Sequence, residues 1–281
     1  MLPDSKLAPT ESFKLALGVN KCSNKNYHSD KSFLSSSTLK LLNEDPAKFY
    51  DQVILGNAVN ESKPAYDLGS YVHTLCLEPD QEHAEYAMFK GWRKAGKDWE
   101  AFKDDPVNKN KTLLSLPQVE QGRMLAKTLK TRPEALELLS GGEAEVSICS
   151  HILGVPVKKR SDYINWDKGY IADIKTSSAP GGVENFREIV KKYSYDLSAA
   201  LYTQIAYQHY GKIFDFYLIV ISKLDKKCDV YKLSSATLSE GSSMVTKALV
   251  TYKKCTESGI WVLPDNQPPV NVVSEYKIEL I

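Results

Sequence analysis

The amino-acid sequence predicts a mixed α/β (α+β) fold, with a central mixed sheet flanked by helices and a helical layer supplied by the N-terminal part of the chain. Three observations predict it. Helix-type segments dominate up to about residue 140, three strand-type segments then follow in close succession, and a helical stretch leads into two further apolar strands. A length of 281 residues suffices for one large domain with a substantial core, and no internal repeat interrupts this order.

Residues 1–26 are polar and without sustained period, which predicts a flexible arm; the folded body is expected over 27–265 and a tail over 266–281. The Ser35-Ser36-Ser37 run can cap a helix through Leu42, and Asp45-Pro46 supplies an N-cap and an N1 proline for a second. A third helix is expected across AYDLGSYVHTLCLEP, where Leu68, Val72, Leu75 and Cys76 recur at helical spacing and Pro79 follows. Residues 90–111 carry seven Lys/Arg, four Asp/Glu and two Trp, a composition that suits a surface loop or irregular helix. Helices are expected from about Pro117 to Lys130 and across RPEALELLS, closed by Gly141-Gly142. EAEVSICS, GVPVKKRSDYI and GYIADIKTSS read as a β meander, Val183 to Tyr210 as helical, and KIFDFYLIVISK and KCDVYKLS as strands.

Composition narrows the class without naming an activity. No apolar run reaches the roughly 18–20 residues that span a bilayer, and the N-terminus lacks a secretory pattern. Five cysteines stand singly with no C-x-x-C pair, against a disulfide framework, a zinc ribbon or a Cys₄ cluster, so a cytoplasmic setting is expected. The net charge of +1 neither favours nor excludes nucleic acid, because binding follows the distribution of charge.

The chemistry lies in VKKRSDYINWDKGYIADIKTSS. With Trp166-Asp167-Lys168-Gly169 as a four-residue hairpin loop, Asn165 faces Tyr170 and Asp162 falls opposite Asp173. Lys175 shares a face with Asp173 because side chains alternate along a strand. Facing carboxylates repel, and a divalent cation reverses that penalty by taking their oxygens as ligands. By itself a D-x-K strand also fits a solvated face, and a one-residue slip would separate the acids.

Four pieces in order give this pattern company: SSSTLKLLNEDPAKFY, LGSYVHTLCLEP, KKRSDYI and ADIKTSS. Together, over about residues 27–265, they resemble the exonuclease VIII (RecE-type) branch of the PD-(D/E)xK nucleases, relatives of lambda exonuclease and of the RecB nuclease domain. The resemblance implies a restriction-endonuclease-like PD-(D/E)xK core and a metal-dependent deoxyribonuclease. It implies His73, Asp162, Asp173 and the carbonyl of Ile174 as ligands of one or two Mg²⁺ ions, with Mn²⁺ as a substitute. Lys175 would position or deprotonate the attacking water. Glu145 resembles an acidic residue of this fold that approaches the metal, and equally suits an exposed strand position. Relatives carry Q-x-x-x-Y on the helix after the D-x-K strand; here Tyr202 matches the tyrosine, Ser198 stands where glutamine is expected, and Gln204 is a candidate replacement.

The resemblance further implies 5′-to-3′ degradation of linear double-stranded DNA, a 3′ overhang left for a single-strand-annealing protein, a ring-shaped homo-oligomer (tetramer favoured, trimer the alternative), and a phage or prophage origin. For DNA, Ser35, Ser36 and Ser37 at a helix N-terminus suit a terminal phosphate or plain capping. Thr176 and Ser177 are placed to touch the neighbouring phosphate, and Arg160 to touch phosphate or to pair with an acid. Trp92 and Arg93 lead a basic, aromatic stretch suited to backbone tracking or to simple solvation. Two rivals stay open: another nuclease of the superfamily, of the CRISPR-adaptation or AddB-like kind, against which the missing cysteine quartet counts, and a non-catalytic DNA-binding protein of the same fold.

Overall fold

The structure is a computed structural model in which residues 13–58 and 64–261 are described. The expected tail and the first twelve residues of the expected arm lie outside these. A six-stranded sheet with order β1-β4-β5-β6-β7-β8 forms the centre. Its strands are β1 (Gly18–Asn20), β4 (Glu143–Ile152), β5 (Val155–Asn165), β6 (Tyr170–Ser177), β7 (Asp215–Ser222) and β8 (Cys228–Lys232). Within this sheet, among the described residues, β6 and β7 alone pair in parallel, which makes the sheet mixed, as the sequence order predicts. A separate parallel pair joins β2 (Tyr86–Met88) to β3 (Thr112–Leu114).

Strand alternation sorts the core into two layers. Phe216, Leu218 and Val220 of β7, with Ile171 and Ile164, pack beneath α2 (Ser36–Glu44), α9 (Val183–Lys192), α10 (Tyr195–Tyr210) and α11 (Ser235–Ser258). Ile219 and Ile221, with Ala172 and Ile174, face α4 (Pro64–Leu77), α7 (Leu116–Lys130) and α8 (Pro133–Leu138). The sheet is therefore covered on both sides, and its middle strands are nearly continuous in burial.

Local chemistry accounts for most boundaries. Asp45 caps α3 (Pro46–Phe49) through the Lys48 N–H at 2.9 Å, with Pro46 at N1. Ser115 and Gln118 form a capping box on α7. Three elements escape the sequence reading. Residues 183–210 are two helices broken at Tyr193-Ser194, where Ser194 is left-handed (φ 47°). The 24-residue α11 is rich in Ser and Thr, and its one glycine, Gly241, lets it approach α10 so closely that a Cβ there would stand 2.1 Å from the Asp196 carbonyl oxygen.

The third lies in the expected arm. Its residues 13–26 include β1 and the start of α1 (Asn24–Ser29), held to the sheet by β1–β4 pairing and by the buried Lys158, whose Nζ donates to the Tyr27 and Asp30 carbonyls at 2.5 Å each. Short Lys- and Asn-containing segments carry no period that would reveal this. Among the described residues no helix is long and apolar enough to cross a membrane.

Candidate active site

The hairpin loop positions the site. Asn165 pairs with Tyr170, Gly169 closes the turn at φ 73°, and the ladder continues through Ile164–Ile171 and Tyr163–Ala172. There it stops. Asp162 does not pair with Asp173 across a flat ladder; its Oδ2 instead accepts the Ile174 N–H at 2.7 Å, so β5 and β6 part at the two acids. The expected register is right to the last pair before the site, and the side chain replaces the backbone from that point.

Into this parting project side chains from three elements. His73 on α4 brings Nε2 to 2.8 Å from the Ile174 carbonyl and Nδ1 to 3.4 Å from Asp162 Oδ2. Glu145 stands across from Asp162 on β4, but φ of 54° removes it from the ladder, which pairs Ala144 with Tyr163 and Val146 with Ser161 on either side. A left-handed glutamate is strained, and here the turn aims its carboxylate inward. His73, Glu145 and Asp162 consequently offer ligand atoms that all lie within 4.8 Å of one another. Arg160 holds Glu145 through Nε and the Cys22 carbonyl through Nη1 at 2.7 Å. Of the two roles open to Arg160, the geometry is that of the ion pair.

Asp173 and Lys175 share a face of β6 as alternation requires, and their charges are in contact. They line a cavity of about 180 Å³ with Ser36, Lys40, Tyr195 and Ser198. His73, Glu145, Asp162 and Arg160 line a second, of about 240 Å³, walled also by Tyr27 and His28 of the N-terminal segment. Tyr202 borders both and stands between them.

Electrostatics indicate what kind of ligand this cluster suits. Burial and then the nearby Asp173 charge raise the Asp162 pKa; burial and then Asp162 raise that of Glu145. Burial, followed by the Lys175 charge, lowers His73, which favours the neutral ring. With Nε2–H donated to a carbonyl, the Nδ1 lone pair faces the Asp162 carboxylate, two acceptors without a proton between them. Asp173 Oδ2 is buried, with no hydrogen bond of ordinary geometry beyond the Lys175 contact among the described residues. An imidazole nitrogen and crowded carboxylates with unused lone pairs are a donor set that fits a divalent cation. The Ile174 carbonyl, expected among the ligands, is instead the acceptor that orients His73, with Lys175 Nζ 3.3 Å away.

The remaining expected residues divide. Ser36 faces the Asp173–Lys175 cavity, whereas Ser35 is used as the N-cap, accepting from Thr38 N–H at 3.5 Å and meeting Ser37 Oγ at 2.9 Å. Thr176 lies toward Gly69 of α4, and Ser177 Oγ accepts the Ala179 N–H in the following turn. Trp92 is 73% exposed and Arg93 exposed, apart from both cavities. Gln204 does not replace the missing glutamine, since its Nε2 donates to Ser242 on α11. Lys40 and Tyr195 were not foreseen. Lys40 follows Ser36 by one helical turn, a spacing that would have placed it beside the site; burial and then Lys175 lower its pKa to about 8.

A family model described as a PDDEXK-like domain of unknown function (DUF3799) matches residues 35–264. Among solved structures, that of a candidate exonuclease from Eubacterium rectale covers 92% of this chain and 100% of its own, at 16% identity and TM-score 0.60, a likeness of fold. The crystal structure of SSO0001 covers 78% of this chain and 84% of its own at 14% identity, and its TM-score of 0.29 carries no argument. No curated protein matches the chain. On the extent of the family match, and with a mixed sheet that parts at an Asp pair followed by a D-x-K lysine, the chain belongs to the PDDEXK-like domain family.

Proposed function

We propose that the chain is a divalent-cation-dependent exonuclease acting on the ends of double-stranded DNA, in the manner of the exonuclease VIII branch. The observation that carries this is the convergence of His73, Glu145 and Asp162 within 4.8 Å, beside an Asp173–Lys175 pair on the adjoining strand. His73, Glu145, Asp162 and Asp173 would hold Mg²⁺ or Mn²⁺. When bound, such an ion supplies charge neutralisation at the scissile phosphate and an acidified water.

The chain's own residues supply the rest. Lys175, half-buried and held by Asp173 and Asp162, has a raised pKa and enters as an ammonium, suited to a charge-assisted hydrogen bond to a phosphate oxygen or to the attacking water. Ser36 and Lys40 border the same cavity and offer a hydroxyl and a cation to the neighbouring phosphate. Arg160 fixes Glu145 so that its carboxylate need not reorganise during the reaction. The working form in this proposal is a ring-shaped homo-oligomer, tetramer favoured, which feeds 3′ single strands to an annealing partner.

Linear duplex labelled at either 5′ or 3′ ends, incubated with Mg²⁺, Mn²⁺ or EDTA, tests the reading. Metal-dependent release from 5′ ends, with closed circles resistant, is the expected result. Binding without cleavage in either metal, or unabated cleavage in EDTA, overturns it, and light scattering on the eluted protein reports the subunit number.

A further inference from the structure

The break between α9 and α10 carries an arrangement that the catalytic cluster does not use. Tyr193 is 52% exposed and stacks on Tyr195, ring centroids 5.7 Å apart at 25°, with left-handed Ser194 between them turning the two rings face to face. Cations surround the pair. Lys40 Nζ lies 5.5 Å from the Tyr195 centroid and donates to the Tyr193 carbonyl at 2.8 Å; Lys175 lies 5.6 Å from the same ring, and Lys192 5.6 Å from that of Tyr193. Among the described residues none of Lys40, Lys191 and Lys192 forms an ion pair with a carboxylate. An unbroken path of aromatic faces and positive charge thus runs from Lys175, inside the cavity that holds Asp173, to open surface at Tyr193.

An exposed tyrosine face flanked by lysines that have no carboxylate partner among the described residues complements a single-stranded nucleic acid, whose bases stack without regard to sequence while its phosphates meet the cations. We propose that Tyr193, backed by Tyr195 and flanked by Lys40 and Lys192, is a stacking platform for a nucleobase of the strand entering the site, next to the scissile phosphate. This rests on the nuclease reading for its position in the reaction, but stacking itself needs no cleavage. Tyr193 sets the position of the unpaired strand and takes no part in bond breaking.

Short single-stranded DNAs carrying 2-aminopurine at successive positions from the 5′ end, mixed with the full chain in EDTA, report stacking by fluorescence quenching. Quenching is expected at one position in wild type and in Tyr193→Phe. It is expected to be lost in Tyr193→Ala, with affinity weakened about 5- to 150-fold. Tyr193→Leu, which keeps apolar bulk without a ring, should behave as Tyr193→Ala, and Lys192→Ala should reduce the salt slope by about 1 with quenching kept. If Tyr193→Leu or a folded Tyr193→Ala quenches and binds as wild type does, the platform is refuted. Cleavage measured in parallel separates the two readings. Quenching without cleavage in Mg²⁺ keeps the platform and removes the nuclease; cleavage without quenching at any position does the reverse.

Discussion

Asp162→Asn should make the metal-free protein more stable while removing its activity. Asp162 is 9% exposed, its Oδ2 takes the Ile174 N–H at 2.7 Å, and its carboxylate lies within 4.8 Å of the Glu145 ligand atom. Asparagine can keep the Ile174 bond with its carbonyl oxygen and turn its NH₂ toward Glu145. Two unit charges at that distance repel by about 3 kcal/mol in an effective dielectric of about 20, and Asp173, the leading charge against Asp162, adds to this. Arg160 on Glu145 and Lys175 on Asp173 offset part of this, so a net gain of about 1–2 kcal/mol is expected, a rise of about 2–5 °C in Tm for a chain of this size.

The gain depends on pH in a fixed sense. The folded-state pKa of Asp162 is raised, so wild type in EDTA loses stability as pH climbs above the unfolded value near 4; the variant's advantage is absent below about pH 4 and full near pH 8. Mg²⁺ at ten times its Kd should stabilise wild type by about 1.4 kcal/mol and the variant far less. Cleavage should fall by about a thousandfold or more, the cost of several kcal/mol of lost charge stabilisation. Thermal melts in EDTA and in Mg²⁺ at several pH values decide it. A variant that melts below wild type in EDTA at pH 8, or that keeps the full Mg²⁺ shift, refutes the argument.

Lys175→Met should lower kcat by about a hundredfold or more while DNA affinity changes by less than about tenfold, because one charge-assisted contact is lost at the reacting phosphate and few elsewhere, as steady-state cleavage and filter binding will show. Gly241→Ala would stabilise an isolated helix by about 1 kcal/mol, yet here its Cβ would meet the Asp196 carbonyl oxygen at 2.1 Å, so a loss of about 1–3 kcal/mol in urea unfolding is expected. Lys159 is fully buried with Ser161 Oγ, at 2.8 Å, as its hydrogen-bond partner, and burial lowers its pKa far below the usual lysine range. Wild type should therefore gain stability as pH rises toward about 10.5, and Lys159→Met should stabilise by about 1–3 kcal/mol at pH 7 with the difference closing at high pH.

The parts of the fold that were legible in the sequence are those where local chemistry decides. Gly169 supplies the positive φ that a WDKG loop needs, so the Asn165–Tyr170 register and the shared face of Asp173 and Lys175 follow from counting. Leu68 and Val72 set the face of α4, and His73 lies one residue beyond. The parting of β5 and β6 was not legible, because it depends on a carboxylate replacing a backbone acceptor. Nor was the inward turn of Glu145, since EAEVSI alternates normally and the sign of φ leaves no trace in residue type. The Lys158-Lys159 pair reads as surface charge. It is buried because one ammonium finds two carbonyls of the N-terminal segment and the other a serine hydroxyl.

Lys158, Arg160 and Asp162 alternate along one strand and therefore project from one face of β5. The first binds the Tyr27 and Asp30 carbonyls, the second the Cys22 carbonyl together with Glu145, and the third joins the cluster of His73 and Glu145. Spacing of two thus ties the N-terminal segment to the acids through Arg160. The strained backbone of Glu145 persists only while surrounding contacts over-determine it. Of those contacts, Arg160 is the one charged partner of Glu145 among the described residues, and Arg160 in turn is steadied from the side of Cys22. The two main hydrophobic layers on the sheet contain no residue of 13–30, which pack through Leu15 and Tyr27 on Cys149 at the β4 edge, whereas Tyr27 and His28 form a wall of the cavity at the acids. Loosening that segment should therefore disturb the aim of Glu145 before it disturbs the fold.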